Sequence, residues 1–331
     1  MPNKRYTWFV KFRLPGEKNI HHLENVTVKT VGIPELGVIR EGFIFFPFDG
    51  EKGFWISPKK VNGPEWEAVF PPANNPTDKN EYLALCRLFI EEIKNGNFGK
   101  LVLSKVKLLP KGEKTSDHIF SALCDNYQDA FVYHLCLPFA GEWMGASPEL
   151  LMDYKNGTIQ TVALAGTQKT EGSGKEIFWE GKEKNEQQLV SDFIGSAMEK
   201  NGILFEKSET KTVTTGSLAH LKTVFTAKSG KKEATLFLKD IHPTPAVCGT
   251  EKEKARTFIS SHEKHSRKFY TGFSGPVSED EMHLFVNLRC MQVHNDYYEL
   301  FTGGGITADS DPDKEWEETE WKAGILERFL K

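Results

Sequence analysis

The chain has 331 residues, of which 39% are hydrophobic, 12% aromatic and 27% charged. That is enough apolar material for a sizeable core, and it excludes the polar, aromatic-poor bias of disordered chains. Forty-two Lys and Arg against 46 Asp and Glu leave a formal charge of −4 without long single-sign blocks, which argues against electrostatic capture of nucleic acid.

Residues 1–70 are rich in aromatics and glycine and read as sheet, with extended segments at Thr7–Phe12 and Gly42–Phe48 before the turn signal Phe48-Asp49-Gly50. The prolines of Pro71–Pro76 halt any regular element. Thr77 or Asp78 can cap a helix whose Tyr82, Leu85, Cys86, Phe89, Ile90 and Ile93 recur at helical spacing until Asn95-Gly96. A strand at Lys100–Leu108, a helix near Asp117–Asn126 and a strand at Phe131–Leu137 follow, then short strands to Thr167 around the hairpin signal Lys155-Asn156-Gly157. The pattern continues with a long helix over Glu176–Lys200, strands near Lys211–Thr215 and Leu218–Thr226, and helices over Ala234–Lys239 and Lys252–Lys264. Strands near Leu284–Val293 and Tyr297–Thr302 precede a terminal helix from Asp313. Strand runs and helix runs of this kind favour an α+β layered sandwich over a strictly alternating fold. Length alone permits two domains or one large one.

Met1–Phe12 carries Lys4, Arg5 and Lys11 and lacks the apolar run of a secretory leader, and no run approaches the roughly 18 apolar residues of a membrane helix. Five cysteines, none in a CxxC pair, suit reduced thiols and lack zinc-type spacing. A cytoplasmic protein without nucleic-acid or membrane partners is expected.

Several segments carry chemistry. Thr302-Gly303-Gly304-Gly305-Ile306 can let backbone N–H groups approach an anion, or can simply turn the chain. In the helix after it, Glu315, Glu318 and Lys322 fall at i, i+3 and i+7 on one face, as an acid–lysine constellation or as a solvated edge. Glu183 and Glu186 are likewise three apart, with Glu186 beside the apolar line of Leu189, Val190, Phe193 and Ala197, where a carboxylate needs a partner. Two such pairs could supply oxygens to a hard cation such as Mg²⁺, or be ordinary surface acids. His242-Pro243-Thr244-Pro245 fixes an irregular loop around a histidine, and Lys100 and Glu149 stand at strand ends.

Taken together and in order, these segments resemble the chorismate-utilising enzymes, the family of isochorismate synthase, salicylate synthase and the synthase components of anthranilate and aminodeoxychorismate formation. The resemblance rests on Lys100–Ser104, Gly145–Leu151, Ala163–Thr167 (ALAGT), Glu186, His242–Gly249 (HPTPAVCG), Arg267–Gly275 (RKFYTGFSG), Arg289, Gly303–Ile306 and Ser310–Lys322 (SDPDKEWEETEWK). It covers residues 71–331, with 1–70 like a shortened form of the family's variable N-terminal portion. It implies an α+β fold in one large domain, residues 1–331, of two packed antiparallel β-sheets with surrounding helices, as in anthranilate synthase component I. The two-domain option then gives way, and the proline stretch becomes a loop.

The resemblance also implies the roles. Chorismate is the substrate and Mg²⁺ the cofactor, held by Glu186 and Glu318 with Glu315 and Glu183 close by. Lys100 is the base that activates water for attack at ring carbon 2, and Glu149 the acid for the departing 4-hydroxyl. Arg289 and Tyr270 take the enolpyruvyl carboxylate; Gly303, Gly305 and Lys322 complete the anion cradle; Gly166, Thr167 and His242 line the site near the ring. Aminating members place glutamine or another residue where this chain has Lys100, and aminodeoxychorismate synthases commonly have lysine where Ala165 precedes Gly166-Thr167, so water addition is expected. Isochorismate synthase, of the menaquinone or siderophore type, is therefore expected, as a monomer without an obligatory amidotransferase subunit. Salicylate synthase is the alternative, ahead of an aminating enzyme or a non-catalytic chorismate-binding relative. The chain departs from the family pattern at Gln187, where many relatives have His, at Glu183, where they have Asp, and at Ala163, where proline is frequent.

Overall fold

Strand alternation and helical spacing translate into two antiparallel sheets faced by helices. The structure, a computed structural model, describes residues 8–58, 71–169, 177–215 and 218–331. Its strands are β1 (Phe9–Arg13), β2 (His21–Glu24), β3 (Thr27–Gly32), β4 (Glu41–Phe46), β5 (Lys52–Ser57), β6 (Leu101–Pro110), β7 (Phe131–Leu137), β8 (Gly141–Ser147), β9 (Leu150–Lys155), β10 (Thr158–Lys169), β11 (Phe205–Lys207), β12 (Lys211–Thr215), β13 (Leu218–Lys228), β14 (Phe273–Ser278), β15 (Glu281–Val286), β16 (Cys290–Val293) and β17 (Tyr297–Ile306). The helices are α1 (Lys79–Lys94), α2 (Ser116–Asn126), α3 (Gly181–Lys200), α4 (Lys231–Ile241), α5 (Lys252–His262) and α6 (Pro312–Leu330).

One sheet runs β2-β1-β7-β8-β16-β17-β6; the other runs β11-β13-β10-β9-β15-β14-β4-β5-β3, with β12 also paired to β13. Residues 9–57 enter both, since β1 pairs with β7 and β4 with β14. Between the sheets lies an aromatic core in which Phe131 stacks on Phe285 at 4.5 Å and Phe45 on Phe269 at 4.1 Å. The period of two is visible in β4: Phe43 and Phe45 enter this core, while Ile44 and Phe46 join the layer under α3 and α4. On the far side, α2 and α6 cover the other sheet through Ile119, Phe120, Leu326 and Phe329. Among the described residues no helix is long and apolar enough to cross a membrane.

Local signals set most boundaries. Asp78 caps α1 by accepting from Asn80 and Glu81 amides at 2.8 and 3.2 Å. Asn156 and Gly157 adopt φ of +48° and +77° between β9 and β10, as the hairpin signal requires. The long middle helix begins at Gly181, later than expected, and residue 176, its expected start, lies outside the described residues. Thr7, the expected start of the first strand, also lies outside them. The expected strand Leu284–Val293 is two strands. β15 belongs to one sheet and β16 to the other, and the chain crosses between them at Asn287-Leu288-Arg289. An unbroken apolar pattern carries no mark of a change of sheet, and this crossing falls at the site described next.

Candidate active site

Lys100 stands immediately before β6, where the loop after His242 holds the backbone. The Thr250 hydroxyl accepts from the Gly99 and Lys100 amides at 2.7 and 3.2 Å, and the Val102 amide donates to the Cys248 carbonyl at 2.8 Å. The Lys100 side chain is buried, with Nζ 3.5 Å from Glu186 Oε2. A Cβ at Gly305, on the neighbouring strand β17, would lie 2.7 Å from Lys100 Cε, so a residue without a side chain is needed for the lysine to reach across.

Glu149 lies in the turn between β8 and β9. Its amide donates to Ser147 Oγ at 3.3 Å and its carbonyl accepts from the Val286 amide at 3.0 Å, which ties the turn to the end of β15. Burial pushes its carboxyl up to about 7, against the opposing pull of Lys100, Lys322 and Arg289. No described residue donates a hydrogen bond to that carboxyl.

Both residues line one cavity of about 190 Å³ between the sheets and α3 and α6. Arg289, at the sheet crossing, has left-handed backbone with φ +47°, a strained conformation for a non-glycine residue. The turn is held by Asn287, which accepts from Tyr133 Oη at 2.7 Å and donates to the Phe269 carbonyl at 2.8 Å. Among the described residues none forms an ion pair or side-chain hydrogen bond with the Arg289 guanidinium, which faces the cavity. Tyr270 also lines it, and burial pushes its phenol up, so the hydroxyl stays protonated. A Cβ at Gly303 would come 2.9 Å from that hydroxyl. Lys322 donates to the Gly303 carbonyl at 3.0 Å and pairs with Glu318 at 2.7 Å.

Glu183, Glu186 and Glu318 line the same cavity. Glu315 lies behind the glycines: its Oε1 accepts from Ser310 at 2.6 Å, and a Cβ at Gly304 would come 3.3 Å from Oε2. Among the described residues no three His, Cys, Asp or Glu side chains are gathered closely enough to form a ready-made metal cage. Glu183 Oε2 is buried with no hydrogen-bond partner among them. A buried, unsatisfied carboxylate oxygen beside two further acids suits a hard cation.

Gly166 lines the cavity at φ +71°, where β10 bulges, and a Cβ there would press on Glu183 at 3.0 Å. The Thr167 side chain lies outside the described residues. His242 is a correction. It does not line the cavity: its Nε2 faces the Pro47 carbonyl at 3.2 Å, its ring packs edge-on against Phe273, and burial lowers its pKa to about 3. Ala246 and Val247 of the same loop reach the cavity instead. The histidine that does line it is His220 on β13, whose Nδ1 lies 3.1 Å from the Gly166 carbonyl; burial lowers its pKa to about 4, so the ring is neutral near pH 7. The sequence marked it only as one position in an alternating strand.

Residues 59–331 match the family model described as chorismate binding enzyme. The chain belongs to that family. As a chorismate-binding enzyme it is 27% identical over 262 residues to isochorismate synthase MenF of Escherichia coli K12, across 76% of this chain and 61% of that protein. It is 30% identical over 271 residues to isochorismate synthase MenF of Bacillus subtilis 168, across 78% of this chain and 57% of that protein. The chain thus spans less than two thirds of the length of these relatives. The solved structure of MenF, the menaquinone-specific isochorismate synthase from Escherichia coli, superposes with a TM-score of 0.81 at 20% identity, covering 98% of this chain and 89% of that one. Anthranilate synthase component I of Streptococcus pneumoniae superposes at 0.73 and 18% identity, covering 98% and 92%. The fold is therefore the α+β fold of two antiparallel sheets with surrounding helices that the motifs imply.

Proposed function

We propose that this chorismate-binding enzyme is an isochorismate synthase, acting without an amidotransferase subunit. The observation that carries the reading is that Lys100 and Glu149 line one cavity: a lysine placed to take a proton from water, and a carboxyl whose pKa near 7 keeps it partly protonated at neutral pH. In the reaction Lys100 takes a proton from water as the oxygen bonds to ring carbon 2. The ring double bond shifts, and the carbon–oxygen bond at carbon 4 breaks as Glu149 delivers its proton to the leaving hydroxyl. One water enters and one leaves, so the change is an isomerisation; Lys100 ends protonated and Glu149 ionised, and proton exchange with solvent resets both.

The substrate is a dianion, and Arg289 with the protonated Tyr270 offers a guanidinium fork and a hydroxyl donor for the enolpyruvyl carboxylate. Glu186 and Glu318, with Glu183 beside them and Glu315 behind the glycines, would hold Mg²⁺. When bound, the ion supplies positive charge for the ring carboxylate. In this structure Lys100 Nζ lies 3.5 Å from Glu186 and Lys322 Nζ 2.7 Å from Glu318. Neutral His220, its Nδ1 3.1 Å from the Gly166 carbonyl, adds an uncharged polar ring to the cavity wall.

The test is chromatography of products from chorismate with Mg²⁺, with and without ammonium. Isochorismate is the expected product. Anthranilate or aminodeoxychorismate as the main product overturns the reading, and salicylate with pyruvate replaces it by the lyase. Lys100→Ala should remove turnover while the fold persists.

A further inference from the structure

Helix α6 presents two faces. At roughly 100° per residue, Glu315, Glu318 and Lys322 fall in one narrow sector, and Trp316, Glu320 and Glu327 in another roughly 150° round the axis. Strand β6 grips the second sector. Lys105 and Lys107, two apart, share one face of β6, opposite Thr302 and Leu300 of β17. The Lys105 side chain is 1% exposed; its Nζ donates to Glu320 Oε1 and sits 3.4 Å from the Trp316 ring centre. Lys107 bridges Glu320 and Glu327 at 2.8 and 2.7 Å, and Trp316 packs edge-on against Tyr82 of α1 at 5.4 Å.

A buried ammonium is costly to desolvate, and an apolar side chain of the same length commonly packs as stably or better. Stability is thus a poor account of Lys105; directional bonding to two groups one helical turn apart is a better one. We propose that Lys105 is a positioning residue, fixing the rotation and height of α6 so that Glu318 and Lys322 meet the glycine strand in register with Lys100, the residue immediately before β6. A rotation of roughly 20° would displace a carboxylate carried ~5–6 Å from the axis by about 2 Å, and an error of 1 Å at a reacting group can cost about 10²-fold.

The substrate side of this inference rests on the isochorismate synthase reading, so the test has an arm that does not. Lys105→Met, Lys105→Arg and Glu320→Gln are compared with the parent chain by thermal unfolding, by hydrogen–deuterium exchange, by calorimetry with Mg²⁺ alone and by chorismate kinetics. Lys105→Met should unfold within a few degrees of the parent, yet exchange faster over residues 302–306 and 312–322 than over α4. It should bind Mg²⁺ about tenfold more weakly and lose about tenfold in kcat/KM, and Lys105→Arg should recover most of each. Unchanged exchange and Mg²⁺ affinity in Lys105→Met overturn the proposal, as does a loss spread evenly over the whole chain. If Lys105→Met does not fold, Glu320→Gln, at the more exposed end of the contact, must show the same local pattern or the proposal fails. If the parent chain makes no isochorismate, the functional reading falls while exchange and calorimetry still decide the positioning role.

Discussion

Glu149 and Glu263 are both buried carboxyls, one in the wall of the cavity and one in the core behind it, and they are shifted in opposite directions. For both, burial is the largest influence and pushes the pKa up. At Glu263 it is outweighed. Arg267 donates through Nε and Nη2 at 2.8 and 2.7 Å, Ser104 donates its amide and hydroxyl at 2.7 and 2.9 Å, and the carboxylate is held below the ordinary range. At Glu149 three cations act only from a distance, and the carboxyl stays near 7. The difference teaches how the fold separates structure from chemistry. Arg267 uses the rest of its fork on the carbonyls of Val102 and Val247, at 2.7 and 2.8 Å, residues that line the cavity. One glutamate is fully bonded so that the wall is rigid, and the other is left under-bonded so that it can give up a proton.

The largest effect that would break this contrast is on turnover. Glu149→Gln keeps the shape and removes the proton, so turnover should fall by about 10⁴-fold, the upper end for a general acid that must accompany a hydroxyl leaving group. Chorismate and Mg²⁺ binding, followed by calorimetry, should persist. Parent-like turnover across the pH range would remove Glu149 from the acid role and leave the contrast without functional meaning.

Glu263→Gln should act on the fold instead. Leaving the buried Arg267 without its counter-charge is expected to cost about 3–5 kcal/mol of stability, measured by urea denaturation. The folded fraction that remains should still make product. A variant as stable as the parent, or one stable but inactive, would show that the two glutamates are not divided in this way.

How much of this was legible follows the same division. Lys100, Glu149, Arg289 and the two helical glutamate pairs stand in motifs whose residue types are set by chemistry, so they could be named from the sequence, and all but Glu315 reach the cavity. β7 was legible because Phe131, Tyr133, Leu135 and Leu137 share the core between the sheets. The choice between two histidines was not legible. His242 and His220 are both buried, and only the packing of Phe273 against the first and the bulge at Gly166 beside the second decide which meets the cavity. The sheet change at Arg289 was hidden for a related reason, because its cause is a long-range pairing of β16 with β8 and β17. At Glu263 the only local signal was the i,i+4 spacing to Arg267, which does not distinguish a buried pair from an exposed one; the partner that helps bury it, Ser104, comes from distant β6.

The smallest effect sharpens the comparison through the pH dependence of stability. Raising the Glu149 pKa from the ordinary 4.5 to about 7 means that the folded state holds a proton that the unfolded state has released between those values. Its contribution is therefore fully present below pH 4.5 and is lost as pH rises through about 7. At about 1.4 kcal/mol per pKa unit the loss amounts to about 3 kcal/mol above pH 7, and Glu149→Gln escapes it because an amide does not titrate. Parent and variant should thus differ little at pH 4, diverge between pH 4.5 and 7, and hold a constant gap in favour of the variant above that. Glu263 has the opposite sign: its depressed pKa gives stability that is present above the unfolded value and lost as the pH falls through the folded one. Urea midpoints of the parent, Glu149→Gln and Glu263→Gln from pH 3 to pH 9 would separate the two signs. If the gap between the parent and Glu149→Gln were the same at every pH, Glu149 would titrate like an ordinary carboxylate, and the under-bonded acid of the cavity wall would lose its physical basis.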